Sequence, residues 1–366
     1  MAAFHHQNDQ RLKRWPHSLL ATSTHDTKRS EDVRARINVL SEMPRGWNEA
    51  VTRWSQLNAA NKTMVDGEPA PDQNDEYLLY QTLLGAWPLE PVTPKEFAQF
   101  RERIAAYMLK ATREAKVHTS WINPEESYDA AMRDFVLQLL PDGGGGPFLD
   151  DLRAFQRRVA YYGQFNSLAQ VLLKLTCPGV PDTYQGTELW DLSLVDPDNR
   201  RPVDFAKRAR LLTELKRREK KGVPPLLQDL LAHWQDGRIK LYLTSKALSF
   251  RRDNPDLFLR GDYLPLHGHG PAGEHVVAYA RRRGMTWALV IVPRLASRLC
   301  PQGEAPLGQD VWDDTAIALP RKAPQSWRNV LTGETLQTER LSQAVVLRLR
   351  DVLYSFPVAL LSAVPG

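Results

Sequence analysis

The sequence predicts a mixed α/β protein, and three observations lead to this fold class. An apolar pair, Leu19-Leu20, and the threonines after it are typical of a short strand, and a helical pattern follows directly. A long middle region repeats apolar residues at helical spacing. The last third contains short alternating runs separated by Gly, Pro and Asn, which are typical of antiparallel strands.

The adjacent His25-Asp26 pair is the most informative polar feature after the first strand. In α/β barrels, side chains at the C-terminal ends of the strands build the active site. Neighbouring residues of a regular strand point to opposite faces, so these two side chains share a pocket only if the chain turns here. A carboxylate beside an imidazole can hold sugar hydroxyls or stabilise a cationic transition state. The alternative is an Asx-type turn that closes a strand.

Three helices are predicted in the first half of the chain. Residues 31–42 form the first, with Ser30 as its N-cap. Two more are predicted to begin at 93–94 and at 123–124, where a capping residue, a proline and a nearby glutamate follow one another. Their apolar stripes indicate core positions rather than contacts with a cofactor.

The second half begins with the glycine-rich run 141–147, which predicts a flexible loop. A long helix over about 148–175 and a short strand within 179–186 are expected to follow. Residues 203–221 predict another helix, and an antiparallel sandwich is predicted from about Gly237.

The composition excludes several classes of protein. With 366 residues, 42% of them hydrophobic, the chain can bury a core and form two or three domains. The net charge is +5, but basic and acidic residues are interleaved, so nucleic-acid binding is not expected. No membrane-spanning run or signal peptide is recognisable, and a cytoplasmic location is expected. Cys177 and Cys300 form neither a disulfide framework nor a metal cluster, so no metal or cofactor is expected.

Several longer motifs give a more specific indication. They are Trp15-Pro16 and residues 21–36, 40–44, 121–128, 178–188 and 196–204. Together they closely resemble the maltooligosyl trehalose synthase family, a branch of the α-amylase superfamily (glycoside hydrolase family 13). The resemblance extends from about residue 4 to 210 and weakens into the β-rich tail.

The resemblance implies the C-terminal part of a (β/α)8 barrel, comprising its last two strands, with a helical insertion and a C-terminal antiparallel β-sandwich. The implied domains are a barrel segment with strand seven (1–42), the insertion (43–146), a barrel segment with the last helix and strand eight (147–235), and the β domain (236–366). A complete barrel has eight strands and about 250 residues. The chain is therefore expected to be a fragment, a split-gene product or a product of a misassigned start.

The implied activity is that of a (1→4)-α-D-glucan 1-α-D-glucosylmutase in trehalose biosynthesis. Such an enzyme converts the reducing-end α-1,4 bond of a maltooligosaccharide substrate into an α,α-1,1 bond. By resemblance, Asp26 stabilises the transition state and His25 donates to a neighbouring sugar hydroxyl. No motif here matches the family's nucleophilic Asp or acid/base Glu. The chain alone is therefore expected to be inactive, and an N-terminal half-barrel polypeptide is a candidate partner.

Three basic residues follow the His-Asp pair closely. Lys28, Arg29 and Arg34 could bind the substrate at the subsites that retain the cleaved glucose. Alternatively, they pair with Glu31 and Asp32 on one face of a helix.

Three residues near the last predicted strand are also candidate substrate-binding residues. Tyr184 could stack on a sugar ring, Gln185 lies beside it, and Glu188 could bind a hydroxyl or orient an arginine. The loop 196–202 contains two arginines that could contact substrate or brace the loop.

Two other functions compete with the mutase. One is a hydrolase fragment of the amylase or trehalohydrolase type, against which the motif 121–128 argues, because it resembles the synthase branch. The other is a non-catalytic carbohydrate-binding remnant. A quarter of a barrel would expose strand edges and apolar patches, so the chain alone is expected to be poorly soluble or to associate.

Overall fold

The computed structural model describes residues 1–341 and 343–364. The helices are α1 (Ala2–Arg14), α2 (Glu31–Asn38), α3 (Pro44–Asn58), α4 (Gln73–Ala86), α5 (Pro94–Ala115), α6 (Glu126–Leu139), α7 (Pro147–Thr176), α8 (Phe205–Glu219), α9 (Val223–Ala232), α10 (Arg238–Asp253), α11 (Pro255–Arg260), α12 (Ala296–Leu299), α13 (Gly308–Trp312) and α14 (Leu349–Val352). Among these described residues, none of the helices combines the length and apolar composition that crossing a membrane requires.

The strands complete a mixed α/β architecture, and the predicted α/β class is confirmed. They are β1 (Leu19–Leu20), β2 (Thr63–Val65), β3 (Glu68–Ala70), β4 (Val180–Pro181), β5 (Asp262–Leu266), β6 (Gly268–His269), β7 (Val276–Arg283), β8 (Thr286–Pro293), β9 (Ala316–Leu319), β10 (Ser326–Asn329), β11 (Thr335–Gln337), β12 (Glu339–Leu341), β13 (Ala344–Arg348) and β14 (Ala359–Ala363).

The chain divides into two compact units, each described by itself. The first contains Met1–Thr24, Gln164–Asp191 and the chain from Pro202 onward, and we call it the sheet unit. The second contains His25–Gly163 and Leu192–Arg201, and we call it the helical unit.

Two antiparallel sheets enclose the core at the C-terminal end of the sheet unit. One has six strands in the order β11-β10-β14-β8-β7-β5, and the other has four in the order β12-β13-β9-β6. Along β7, Val277 and Tyr279 join a core shared with helices, while Ala278 and Ala280 join the core between the sheets. Because both faces of the six-stranded sheet are covered, the first five residues of β7 and most of β8 are apolar, and the three arginines stand at the end of β7.

The predicted sandwich is confirmed from β5 onward, but the prediction of β structure from Gly237 is wrong. Residues after Gly237 form α10 and α11 instead. Ile239, Leu241 and Leu243 alternate along the sequence as strand residues do, yet all three are buried in helix α10. A helix buried on several sides loses its polar face, so its period is hidden in the sequence.

Strands β1 and β4 pair in parallel as a two-stranded sheet within the sheet unit. Leu19 lies opposite Val180 and Leu20 opposite Pro181. The predicted strand at 179–186 is therefore confirmed but is shorter than expected. The predicted helices at 148–175 and 203–221 are confirmed as α7 and α8.

The helical unit is centred on aromatic side chains. The ring of Trp54, in α3, is in contact with those of Trp47, Tyr80, Phe148 and Phe155, with centroids 5.4–5.9 Å apart. These pairs meet edge to face, the geometry that the ring quadrupole favours. The apolar stripes of α5 and α6 are buried as well, for example at Phe100, Ile104 and Phe135, so their predicted role as core positions is confirmed.

Of the two helix starts predicted from capping residues, one is confirmed and the other is wrong. Helix α5 begins as predicted, with Thr93 and Glu96 forming a reciprocal capping box. The prediction for the second is wrong, because α6 begins at Glu126 and Glu125 is its N-cap. Asn123 lies in a turn instead, where its backbone N–H donates to Ser120 Oγ at 2.9 Å.

Candidate functional site

The chain turns at His25-Asp26, as the sequence predicts for a pair that shares one pocket. His25 Nε2 lies 3.3 Å from Asp26 Oδ2. The side chains are 58% and 86% exposed, so the carboxylate is open to solvent. An ionised carboxylate has four acceptor sites, and the open oxygens can accept hydrogen bonds from sugar hydroxyls.

The backbone of this turn is held by the segment 192–201, which belongs to the same unit. Asn199 Nδ2 donates to the His25 carbonyl oxygen at 2.7 Å, and the Ser30 N–H donates to the Ser193 carbonyl oxygen at 3.0 Å. The arginines of this segment bind its own acids: Arg200 lies 2.6 Å from Asp196, and Arg201 lies 3.1 Å from Asp198. These contacts bear out the loop-bracing alternative.

Lys28 follows the turn and forms an ion pair over a long sequence separation. Its Nζ lies 2.6 Å from Glu114 Oε2, at the end of α5. The hydrogen bond to Glu114 raises the pKa of Lys28. The ion pair of Lys28 is therefore with Glu114 on α5, and not with Glu31 or Asp32 as the alternative has it.

Arg29 and Arg34 lie against the body of the helical unit. The Arg29 guanidinium donates to Thr82 Oγ1 at 2.9 Å and to the Leu78 carbonyl at 3.4 Å, both on α4. Arg34 Nε donates to the Arg29 carbonyl at 3.1 Å. These bonds fix the direction of the segment between the turn and α2.

Tyr184, Gln185 and Glu188 lie in and beside the turn after β4, in the sheet unit. Tyr184 is half-buried, and Gln185 is exposed. Glu188 Oε2 accepts from Arg208 Nε at 2.9 Å, and Arg208 also donates to the Gly186 carbonyl at 2.7 Å. Glu188 thus orients an arginine, which is one of the two roles predicted for it.

A cluster that no sequence motif indicates joins Asp72, Asp75 and His118 at the start of α4. One donor atom from each lies within 4.8 Å of the others, a separation at which a metal ion can be held. Each group already has a protein partner. Asp72 Oδ1 caps the Asp75 N–H at 2.8 Å, Asp72 Oδ2 meets His118 Nε2 at 2.9 Å, and Asp75 Oδ2 accepts from Tyr128 at 2.6 Å. Helix capping therefore accounts for Asp72, and side-chain hydrogen bonds account for the positions of Asp75 and His118.

Helix α5 carries further residues that organise the site. Arg103 Nε donates to Asp198 at 3.0 Å, and Lys110 Nζ donates to the Asp196 carbonyl at 2.7 Å. With Glu114, these residues recur at intervals of seven and four, which places them on one face of the helix. That spacing is visible in the sequence, whereas the partners on segment 192–201 are not.

Comparison with known proteins identifies the relatives of the chain. No protein-family model matches it. A Mycobacterium tuberculosis protein named as a maltooligosyl trehalose synthase is 38% identical over 334 residues, which are 91% of this chain. The solved maltooligosyltrehalose synthase of Arthrobacter ramosus is 35% identical over 98% of this chain, with a TM-score of 0.77. The predicted resemblance is confirmed: the chain matches a part of the maltooligosyl trehalose synthases.

The share of those synthases that is matched is limited. Another solved maltooligosyl trehalose synthase is 31% identical over 99% of this chain, with a TM-score of 0.70. The chain spans 37% of the Mycobacterium tuberculosis protein and 40% and 42% of the two solved synthases. Such a share is compatible with the C-terminal portion that the motifs predict.

Proposed function

We propose that this chain contributes Asp26 and His25 to a (1→4)-α-D-glucan 1-α-D-glucosylmutase of the maltooligosyl trehalose synthase type. The observation that carries the proposal is the match itself, because at least 91% of the chain aligns with proteins of that name at 31–38% identity. The geometry of the turn adds support, since it leaves the Asp26 carboxylate open to solvent beside an imidazole.

The proposed chemistry is retaining transglucosylation. One carboxylate attacks the anomeric carbon and a second carboxyl group protonates the leaving oxygen, the two lying about 5–5.5 Å apart. The cleaved reducing-end glucose stays in the site, its C1 hydroxyl attacks the anomeric carbon of the glucosyl-enzyme, and the acid/base accepts the proton of that hydroxyl. An α-1,4 bond is thereby replaced by an α,α-1,1 bond, and the attacking carboxylate is regenerated.

Asp26 acts in this scheme as a third carboxylate. Its oxygens hold the 2- and 3-hydroxyls of the sugar ring, and these bonds strengthen as positive charge develops on the ring. His25 donates to a neighbouring hydroxyl. The nucleophile and the acid/base are proposed to come from the portion of the synthase that this chain does not match.

Further substrate contacts are proposed at six other residues. The residues are Lys28, Arg29, Arg34, Tyr184, Gln185 and Glu188. Of these, Lys28 and Gln185 are exposed, although the Nζ of Lys28 is paired with Glu114 and would have to exchange that partner to bind a sugar hydroxyl. Arg29 and Glu188 hold other groups of the protein and would act by shaping the site.

The fold that accompanies this function is a (β/α)8 barrel completed by an N-terminal half-barrel polypeptide. The parallel pairing of β1 with β4 supports the proposal, because neighbouring barrel strands are parallel. The corresponding domains are 1–42, 43–146, 147–235 and 236–366.

The test is conversion of maltopentaose, followed as loss of reducing ends and formation of trehalose ends. The chain is assayed alone and mixed with the portion of the Mycobacterium tuberculosis protein that it does not match. Activity in the mixture that Asp26→Asn abolishes, with Asp66→Asn as the matched exposed control, is the expected result. Activity of the chain alone would contradict the proposed source of the nucleophile. Glucose release without trehalose ends would indicate a hydrolase, and binding without turnover a carbohydrate-binding remnant.

A further inference from the structure

The segment 192–201 contacts both ends of the stretch that carries Asp26. At its start, Asn199 Nδ2 donates to the His25 carbonyl oxygen at 2.7 Å. At its end, the Ser30 N–H donates to the Ser193 carbonyl oxygen at 3.0 Å. A stretch of six residues held at both ends has few backbone conformations left, so the direction of the Asp26 side chain is restricted.

The segment itself is made rigid by Asp198. Its Oδ2 accepts from the Leu194 N–H at 2.8 Å and from Arg103 Nε at 3.0 Å. Arg201 Nε donates to the Asp198 backbone carbonyl at 2.9 Å and lies 3.1 Å from the second carboxylate oxygen. Arg103 also donates to the Leu192 carbonyl at 2.7 Å, so the guanidinium joins the two ends of the segment. Bonds to charged groups such as these are stronger than neutral hydrogen bonds.

We propose that Asn199 is a positioning residue for Asp26, acting through its hydrogen bond to the His25 carbonyl. The proposal rests on the proposed function of Asp26. Asn199 follows Asp198 directly in the chain, so the hydrogen bonds of Asp198 hold the backbone from which the Asn199 side chain extends toward His25. The His25 carbonyl belongs to the peptide that joins His25 to Asp26. Holding this peptide therefore sets the direction of the Asp26 Cα–Cβ bond, and with it the place of the carboxylate, before substrate arrives.

The chemistry of the contact requires a donor at position 199. Asparagine supplies an N–H to the carbonyl, whereas aspartate of the same shape presents a second oxygen and removes the bond. The substitution Asn199→Asp therefore changes the contact with little change in volume. Asn254→Asp is the matched control, because Asn254 is also half-buried and its Nδ2 donates to the Phe250 carbonyl at 2.9 Å.

The first test observes the peptide directly. His25-Asp26 is the only His-Asp dipeptide in the 366 residues. Full-length chain labelled with ¹³C at histidine carbonyls and ¹⁵N at aspartate therefore gives one cross peak in an HNCO spectrum. We expect Asn199→Asp to shift that peak upfield in ¹³C, because the carbonyl loses a hydrogen bond, and Asn254→Asp to leave it in place. An unchanged peak in Asn199→Asp would overturn the proposal.

The second test separates positioning from folding in the reconstituted reaction. Misplacement of a catalytic group by about 1 Å can cost about 100-fold in rate. We expect Asn199→Asp to lower kcat by about 10- to 100-fold with little change in KM, and Asn199→Gln, which keeps the donor, to recover part of it. A shifted peak with unchanged kcat, while Asp26→Asn is inactive, would refute the positioning role. If Asp26→Asn were fully active, the proposed function would fail instead, and the bond to His25 would stand as a structural brace.

Discussion

At the scale of single residues, the buried guanidinium of Arg281 is satisfied by backbone carbonyls of the sheet unit. Its guanidinium donates to the carbonyls of Thr176, Phe258 and Gly261 at 2.9–3.0 Å. These carbonyls lie at the end of α7 and around the end of α11. Burial lowers the pKa of Arg281. One side chain of β7 thus satisfies carbonyls from two helix ends.

We expect Arg281→Met to destabilise the sheet unit by about 3 kcal/mol, because several buried carbonyls lose their donor at once. Arg283→Met, two residues along β7 and exposed, should change stability by less than about 0.5 kcal/mol. Urea unfolding followed by tyrosine and tryptophan fluorescence measures both. Equal midpoints for the two variants would contradict the prediction.

Asp229 makes the stability of the sheet unit depend on pH. It lies between Arg218 and Arg238, with N–O distances of 2.7 and 2.9 Å. Burial acts to raise the pKa of Asp229, but the bonds and charges of the two arginines lower it overall. A lowered carboxyl pKa stabilises the fold above the unfolded pKa of about 3.9, and this contribution is lost as the pH falls through the folded pKa.

Asp229→Asn is therefore expected to lower the urea midpoint near neutral pH and to flatten its decline as the pH falls from about 5 to below about 3.9. Asp256→Asn, an exposed aspartate of α11, is the control and should keep the slope of the parent chain. The measurement is the urea midpoint as a function of pH. If the urea midpoint of Asp229→Asn fell with pH as steeply as that of the parent chain, another carboxylate would be the source of the pH dependence.

At the scale of elements, helices α7 and α2 approach each other at a glycine. A Cβ at Gly163 would lie 2.7 Å from Arg36 Cγ and 3.0 Å from Arg36 Cα. Arg36 has little freedom to retreat, because its guanidinium donates to the carbonyls of Gly85 and Trp87 at 3.0 and 2.7 Å. Burial lowers the pKa of Arg36 to about 10.

Gly163→Ala should therefore destabilise the helical unit by about 1–3 kcal/mol, although alanine is the better helix former. Gly46→Ala in α3 is the matched control, since a Cβ there meets no atom within 4 Å. It should stabilise the chain by about 0.5–1 kcal/mol, the ordinary preference for alanine within a helix. Thermal unfolding of the two variants gives the comparison, and changes of the same sign would exclude the steric explanation.

At the scale of the whole molecule, the neighbourhood of β1 exposes apolar surface. Trp15 and Leu19 are 72% and 73% exposed, and Leu19 lies in a two-stranded parallel sheet. A short sheet of this kind offers edges that another chain can pair with. The surface is thus suited to association.

We expect the chain alone to form oligomers at micromolar concentration, and Leu19→Lys to shift it toward the monomer by placing a charge on the strand. Size-exclusion chromatography with light scattering measures the mass. Met285→Lys is the control, because Met285 is also exposed but lies in the β7–β8 turn. A monomeric parent chain would refute the prediction.

Much of the local structure could be predicted from the sequence. The capping box at Thr93, the turn at His25-Asp26 and helix α7 follow from patterns of neighbouring residues. Helix α10 could not be predicted, because burial on several sides removes the polar face that reveals a helical period. The start of α6 could not be predicted either, because Ser120 and Asn123 close a turn that competes with the helix.

The sequence by itself determined the α/β class and the likeness to the maltooligosyl trehalose synthases, because both depend on patterns and motifs short enough to read along the chain. Only the tertiary structure decided how the Asp26 turn is held. Asn199 meets His25 across 174 positions, and Lys28 meets Glu114 across 86. Contacts of this kind depend on how the helices of the unit pack, and no local pattern of residue types specifies the partner.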